Sequence, residues 1–202
     1  MLRIYEVLAP MLLSLAPAVG DRGEDPEDRW ERLTVVAIAI DTAATEATCD
    51  GAEPTPEEPY CVPIYPGERW ELAGALTAIA VDETRLARNV HEGRCAPHEC
   101  DSVIRGGVLF HRAVSPWQLH SSPLVPMAEW RAARGTSLEA TTTAARAAAR
   151  VLAWPRFRGQ SLRCAMSTYA GAAKCSWPGA AARAKAALAW SARIQSAVSY
   201  GE

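Results

Sequence analysis

The sequence predicts a mainly α-helical chain, with one loop-rich region standing between two helical groups. Two observations carry this. Apolar residues recur at three- and four-residue steps through several long segments, the spacing of one stripe of a helix. Alanine is heavily used in the C-terminal third, where it favours helix formation and close helix–helix contact. Strand signals are weak, and no internal repeat is present. The chain has 202 residues, 49% hydrophobic and 22% charged, which suits one soluble core with appendages. A net charge of -2 gives no general attraction to nucleic acid or anionic membranes. Basic residues do outnumber acids from Arg131 onward, a bias that solvated helix faces or a polyanionic partner would each explain.

The elements follow in order. "MLRIYEVLAPMLLSLAPAVG" has the basic start and apolar run of a secretory signal, but Glu6 and Pro10 interrupt the run. It reads as a short amphipathic or docking helix, too short to span a bilayer, and no other segment is a transmembrane candidate. Asp25-Pro26 is a cap with a first-turn proline, opening a helix through Trp30, Leu33, Val36 and Ile40. Prolines at 54, 56, 59, 63 and 66 then forbid regular structure. A helix is expected from about Arg69 to Arg88, followed by an irregular segment, Asn89 to Pro126. Within that segment "VLFHRAV" fits one edge of a small hairpin. Thr136 with Glu139 fits a capping box for an Ala-rich helix ending before Pro155. A last helix runs from Ser176 to about Ser199.

Six cysteines fall into three neighbouring pairs. None has the spacing of a zinc knuckle or redox motif, and His91, His98, His111 and His120 complete no ligand pattern, so no metal is expected. Local pairing suits loop-stapling disulfides, Cys49–Cys61, Cys95–Cys100 and Cys164–Cys175, with free buried thiols as the alternative. Disulfides would place the protein in an oxidising setting: a cell envelope, the cell exterior or a released virus particle.

One residue breaks the pattern of the Arg69–Arg88 helix. Leu72, Leu76, Ile79 and Leu86 form its apolar stripe, and Glu83 fills the gap on the same stripe. A buried carboxylate resists ionisation, as a general acid working near neutral pH requires. A core glutamate paired with an arginine, or one reaching solvent at the helix end, gives the same pattern.

The order of "AIAVDET", "SPWQLH" and "TYAG" resembles the lysozyme-like fold, most nearly the soluble lytic transglycosylases and goose-type lysozymes. Those proteins carry a catalytic Glu followed by Ser, then Gly-Leu-Met-Gln or Gly-Leu-Trp-Gln, then Ala-Tyr-Asn-x-Gly. The resemblance covers roughly Trp70 to Trp190. It implies a lysozyme-like domain over residues 68–202, preceded by a helical, Pro-rich extension over 1–67. It implies Glu83 as catalytic acid and Thr84 in the place of the neighbouring Ser. Thr84 and Ser115 are then substrate-binding residues, and so are Trp117 and Gln118, which line the sugar cleft. Tyr169 would reach toward the glutamate, with Gly171 beside it. Ser115-Pro116 departs from the usual Gly-Leu, and Ala170 from the Asn.

The implied reaction is cleavage of the β-1,4 bond between N-acetylmuramic acid and N-acetylglucosamine in peptidoglycan, with no cofactor. A protonated glutamate makes the glycosidic oxygen a leaving group. Gln118 offers donor and acceptor to an acetamido group, and Trp117 a flat face for a sugar ring. Hydrolysis needs a second carboxylate, for which Glu92, Glu99 and Asp101 are the candidates. Without one, closure of an internal anhydro ring by the muramyl 6-hydroxyl is slightly favoured. Such a protein suits a phage, as a virion component or an endolysin, with the extension docking to other tail or virion proteins. The competing reading is a lysozyme fold kept as a structural or wall-binding module without catalysis.

Overall fold

The structure is a computed structural model and describes residues 3–15, 23–50, 61–95, 100–172 and 175–200. It is mainly helical, with two small two-stranded sheets between the helical groups. Helix α1 (Ile4–Leu13) buries Ile4, Leu8 and Leu12, one turn apart at each step, with Ala9 beside them. Its face is therefore occupied by the chain's own core and is not a free docking surface. Asp25 caps α2 (Pro26–Thr48) as the sequence predicts, its carboxylate accepting from the Glu27 N–H at 2.8 Å with Pro26 at the first position. The helix runs past Ile40 because Ala43, Ala44 and Ala47 continue its buried face. Backbone N–H groups of Ile64 and Tyr65 then both donate to the Ala47 carbonyl at 2.9 Å, closing the end of α2. Pro54, Pro56 and Pro59 lie outside the described residues.

Helix α3 (Arg69–Thr84) is the centre of the molecule. It packs on α2 and on the last helix, α8 (Pro178–Tyr200), with Leu72, Leu76 and Ile79 wholly buried. The contact with α8 is backbone on backbone. A Cβ at Gly74 would collide with the Ala187 carbonyl oxygen and the Ser191 nitrogen, so only glycine fits this crossing. The expected extension of α3 to Arg88 does not occur. Arg85 and Leu86 take left-handed φ values of 49° and 55°, and a separate short helix, α4 (Arg88–His91), follows.

The loop-rich region holds two hairpins. Strand β1 (Ser102–Arg105) pairs antiparallel with β2 (Val108–His111) around Gly106-Gly107, which realises the hairpin expected from "VLFHRAV". Strands β3 (Ala113–Val114) and β4 (Leu119–His120) form the second pair. After α5 (Met127–Ala132), helix α6 (Leu138–Phe157) is capped by Ser137, one residue later than expected. It also passes through Pro155 instead of stopping before it. The proline falls in the final turn, where it costs one ladder bond, and its carbonyl accepts from both Arg158 and Gln160 at 3.1 Å. Helix α7 (Leu162–Tyr169), not separately anticipated, starts at a Ser161 cap.

All three expected disulfides are present, Cys49–Cys61, Cys95–Cys100 and Cys164–Cys175. They are compatible with an oxidising environment. Among the described residues no helix is long and apolar enough to cross a membrane. Residues expected to form an N-terminal extension contribute Leu8, Leu33 and Ile40 to the same hydrophobic cluster as Leu76, Leu152 and Ile194.

Two measurements follow. Alkylation of the native, unreduced protein should label no cysteine. Gly74→Ala should cost about 3 kcal/mol or more by denaturant unfolding, because the clash is with backbone that cannot rotate away. A cost below about 1 kcal/mol would mean the crossing is looser than described.

Candidate functional site

Glu83 occupies the final turn of α3. Its carboxylate accepts from Arg183 Nη1 of α8 at 2.5 Å, and the same guanidinium reaches Asp82 at 2.5 Å through Nε. The periodicity of α3 puts Glu83 on the buried stripe, but the helix ends one residue later. Its left-handed turn opens this face, leaving the Glu83 side chain 23% exposed. Glu83 is thus a half-buried, ion-paired carboxylate at the edge of a cleft.

The end of α3 is fixed from two sides. Thr84 is buried and does not line the cleft. Its hydroxyl lies 2.9 Å from the Ala80 carbonyl and 3.3 Å from that of Pro116, while accepting from the Leu86 N–H at 3.1 Å. From the other side Arg32 of α2 donates to the Leu86 carbonyl at 2.8 Å and holds Glu24 with two bonds, at 2.7 and 2.8 Å. Arg29 adds a third at 3.2 Å. Burial alone would raise the Glu24 carboxyl, yet Arg32 and Arg29 together outweigh it and hold it below the ordinary value of 4.5.

The segment Ser115–Gln118 is a tight turn. Ser115 and Gln118 have φ values of 68° and 48°, and the Gln118 N–H donates to the Ser115 carbonyl at 3.1 Å. Its tip points inward. Trp117 is wholly buried, its indole N–H donating to the Leu76 carbonyl at 3.0 Å, so it wedges the turn against α3. This corrects the expectation of an open stacking face: a loop tryptophan with a buried acceptor in reach gains more from the core than from solvent. Tyr169 donates to the Trp117 carbonyl at 2.6 Å instead of to Glu83. Burial, with the nearby charge of Glu83, pushes its phenol well above the usual tyrosine range, so it stays protonated. Gly171 ends α7 with φ 73°, its N–H donating to the Thr168 carbonyl at 2.9 Å, the left-handed stop a glycine accepts freely.

These pieces enclose one cleft of about 660 Å³. Glu83 and Arg183 form one part of its wall, Gln118 and His120 another, and Tyr169 and Gly171 a third. Leu119, Leu124, Val125 and Val151 supply apolar surface, and Trp177 adds a half-buried indole over which Arg183 lies 5.0 Å from the ring centre. The lining combines an apolar floor with charged and hydrogen-bonding side chains, Glu83, Asp101, Gln118, His120, Tyr169 and Arg183 among them.

Of the three second-carboxylate candidates, Asp101 lines this cleft. Glu92 does not; it pairs with Arg88 and Arg94 and lines a separate groove. Glu99 lies outside the described residues. Among the cleft residues that escaped the sequence reading are His120, Trp177 and Arg183. A signal existed for Arg183, which sits among the buried Ala180, Ala184 and Ala187 on α8 just as Glu83 sits on the stripe of α3. Among the described residues no group of three His, Cys, Asp or Glu side chains could hold a metal ion.

The Glu24 network predicts an acid-sensitive component of stability. A carboxyl lowered in the fold stabilises above its unfolded value and loses that contribution as pH falls from 4.5 through the lowered one. Arg32→Met should cost about 3 kcal/mol at neutral pH, since it leaves Glu24 short of its main partner and the Leu86 carbonyl without a donor. It should also flatten the stability-versus-pH curve below 4.5. An unchanged slope in urea melts across that range would remove Glu24 from the account.

A scan against protein-family models, a search of the curated proteins and a search of the solved structures each gave no match to the chain.

Proposed function

We propose that the chain is a peptidoglycan-cleaving glycosidase that cuts the β-1,4 bond between N-acetylmuramic acid and N-acetylglucosamine, with Glu83 as general acid. The observation that carries this reading is convergence. Glu83, Gln118, Tyr169 and Gly171 come from three separate stretches of sequence, yet all line one cleft. Two details support it. Ser115, standing where the resembled motif has glycine, has the positive φ that a glycine would supply there. Trp177 supplies the aromatic side chain in the cleft that the buried Trp117 does not, with the Arg183 guanidinium over its ring.

In this reading Glu83 protonates the glycosidic oxygen as the bond breaks. Asp82 gives the Arg183 guanidinium a second partner besides Glu83. Gln118 offers its amide to an acetamido group. Tyr169 holds the Trp117 carbonyl and so fixes the turn from which Gln118 projects. The preference for anhydro-ring closure rested on the lack of a second carboxylate near the acid; Asp101 in the same cleft removes that ground. Three disulfides fit a virion or envelope setting.

A second reading draws on the ion pair itself. Glu83 held by Arg183 is what a structural glutamate looks like, and with Ala170 in place of the motif's Asn it favours a glycan-binding module without turnover.

Glu83→Gln separates the two. An acid role predicts that release of muropeptides from purified peptidoglycan falls by roughly 10²–10⁴-fold. Stability should change by no more than about 1 kcal/mol, since Arg183 keeps Asp82 and the pair is partly solvated. No turnover by the unaltered protein, with retained binding to the polymer, would establish the binding module instead.

A further inference from the structure

We infer that His120, oriented by Asp101, is the base that activates water in this cleft, which makes the reaction a hydrolysis. The inference rests on the glycosidase reading and assigns the partner that Glu83 requires. His120 Nε2 stands 3.7 Å from Asp101 Oδ2, and both residues line the cleft that holds Glu83. At that separation the two are in charge contact and not hydrogen-bonded, and catalytic contacts in an unliganded site often tighten when substrate binds.

The pairing is built into the backbone. His120 lies opposite Ala113 in the β3–β4 pair, and the adjacent Arg112 N–H donates to the Asp101 carbonyl at 2.9 Å. One short run, Arg112-Ala113, therefore fixes both partners. Asp101 is held again from its other side, because Cys100 is buried and bonded to Cys95. Gln118 Nε2 lies 3.8 Å from Cys100 Sγ, which keeps the proposed acetamido contact beside the pair. The side chains of His120 and Asp101 are 53% and 55% exposed, so water reaches them freely.

The chemistry balances without any other reagent. Asp101 accepts the Nε2 proton of neutral His120, which leaves the Nδ1 lone pair as acceptor. Glu83 gives its proton to the glycosidic oxygen, and the C1–O bond breaks with its electron pair going to the departing sugar. A water oxygen forms the new bond to C1 while one of its protons passes to His120 Nδ1. Solvent then removes the proton from His120 and returns one to Glu83. Direct attack by water inverts C1, so a β bond yields an α-configured reducing end.

The test is digestion of purified peptidoglycan in ¹⁸O-labelled water, with muropeptides read by mass spectrometry and the first-formed anomer by NMR. The unaltered protein should release reducing ends carrying ¹⁸O, initially as the α anomer. His120→Ala, at an exposed position, should keep its melting temperature and lose hydrolysis on the order of 100-fold. Added imidazole should restore part of that loss, which a purely structural histidine would not allow. Asp101→Asn should slow the same step without gaining from imidazole. Anhydro ends alone from the unaltered protein would overturn the water route and leave the glycosidase reading standing. Hydrolysis that survives His120→Ala, or that imidazole fails to raise, would also overturn it. No turnover at all would remove both the water route and the glycosidase reading.

Discussion

The crossing of α3 and α8 at Gly74 is the contact on which the cleft depends. Two helices that meet backbone to backbone have no side chain between them to yield, so their relative register is fixed as tightly as a covalent joint would fix it. From that point the helices run antiparallel. Nine residues along α3 lies Glu83, and a turn or two back along α8 lies Arg183. The alanines of α8 serve the same purpose: Ala180, Ala184 and Ala187 are buried and small, which lets the helix approach closely along its length. A charged pair between helices is placed here by what has been left out of the interface above it.

The helices were legible where local chemistry decides them. The Asp25-Pro26 start, the buried stripe of α3 and the three local disulfides all follow from short-range pattern. The end of α3 was not legible, because Arg85 and Leu86 carry no sequence mark of a left-handed turn. That turn is imposed from outside the helix, by Thr84 reaching Pro116 and by Arg32 reaching Leu86 across 54 residues of chain. Ser137 took the capping role in place of Thr136 because neighbouring hydroxyl residues are chemically equivalent until the helix axis is fixed.

The site divides the same way. Glu83 announced itself as a charge on an apolar stripe, and Gln118, Tyr169 and Gly171 line the same cleft. Trp117 did not: a loop tryptophan is equally suited to solvent, ligand or core, and its burial against α3, with the indole N–H on the Leu76 carbonyl, is a long-range contact. His120 and Asp101 are separated by a hairpin, and nothing in either neighbourhood reports that Arg112 and Ala113 will bring them together. Pairings made through a third strand are invisible to periodicity.

The path from Glu24 through Arg32 to Leu86 has a consequence for modularity. It begins at the start of α2 and ends one turn beyond the acid on α3, so the first helices are part of the scaffold that shapes the cleft. With Leu33 and Ile40 in the shared core as well, residues on both sides of Gly67 belong to one hydrophobic cluster. A chain organised this way cannot be shuffled like a bead on a string. Moving the cleft to a new protein without α2 would leave the Leu86 carbonyl without its Arg32 donor.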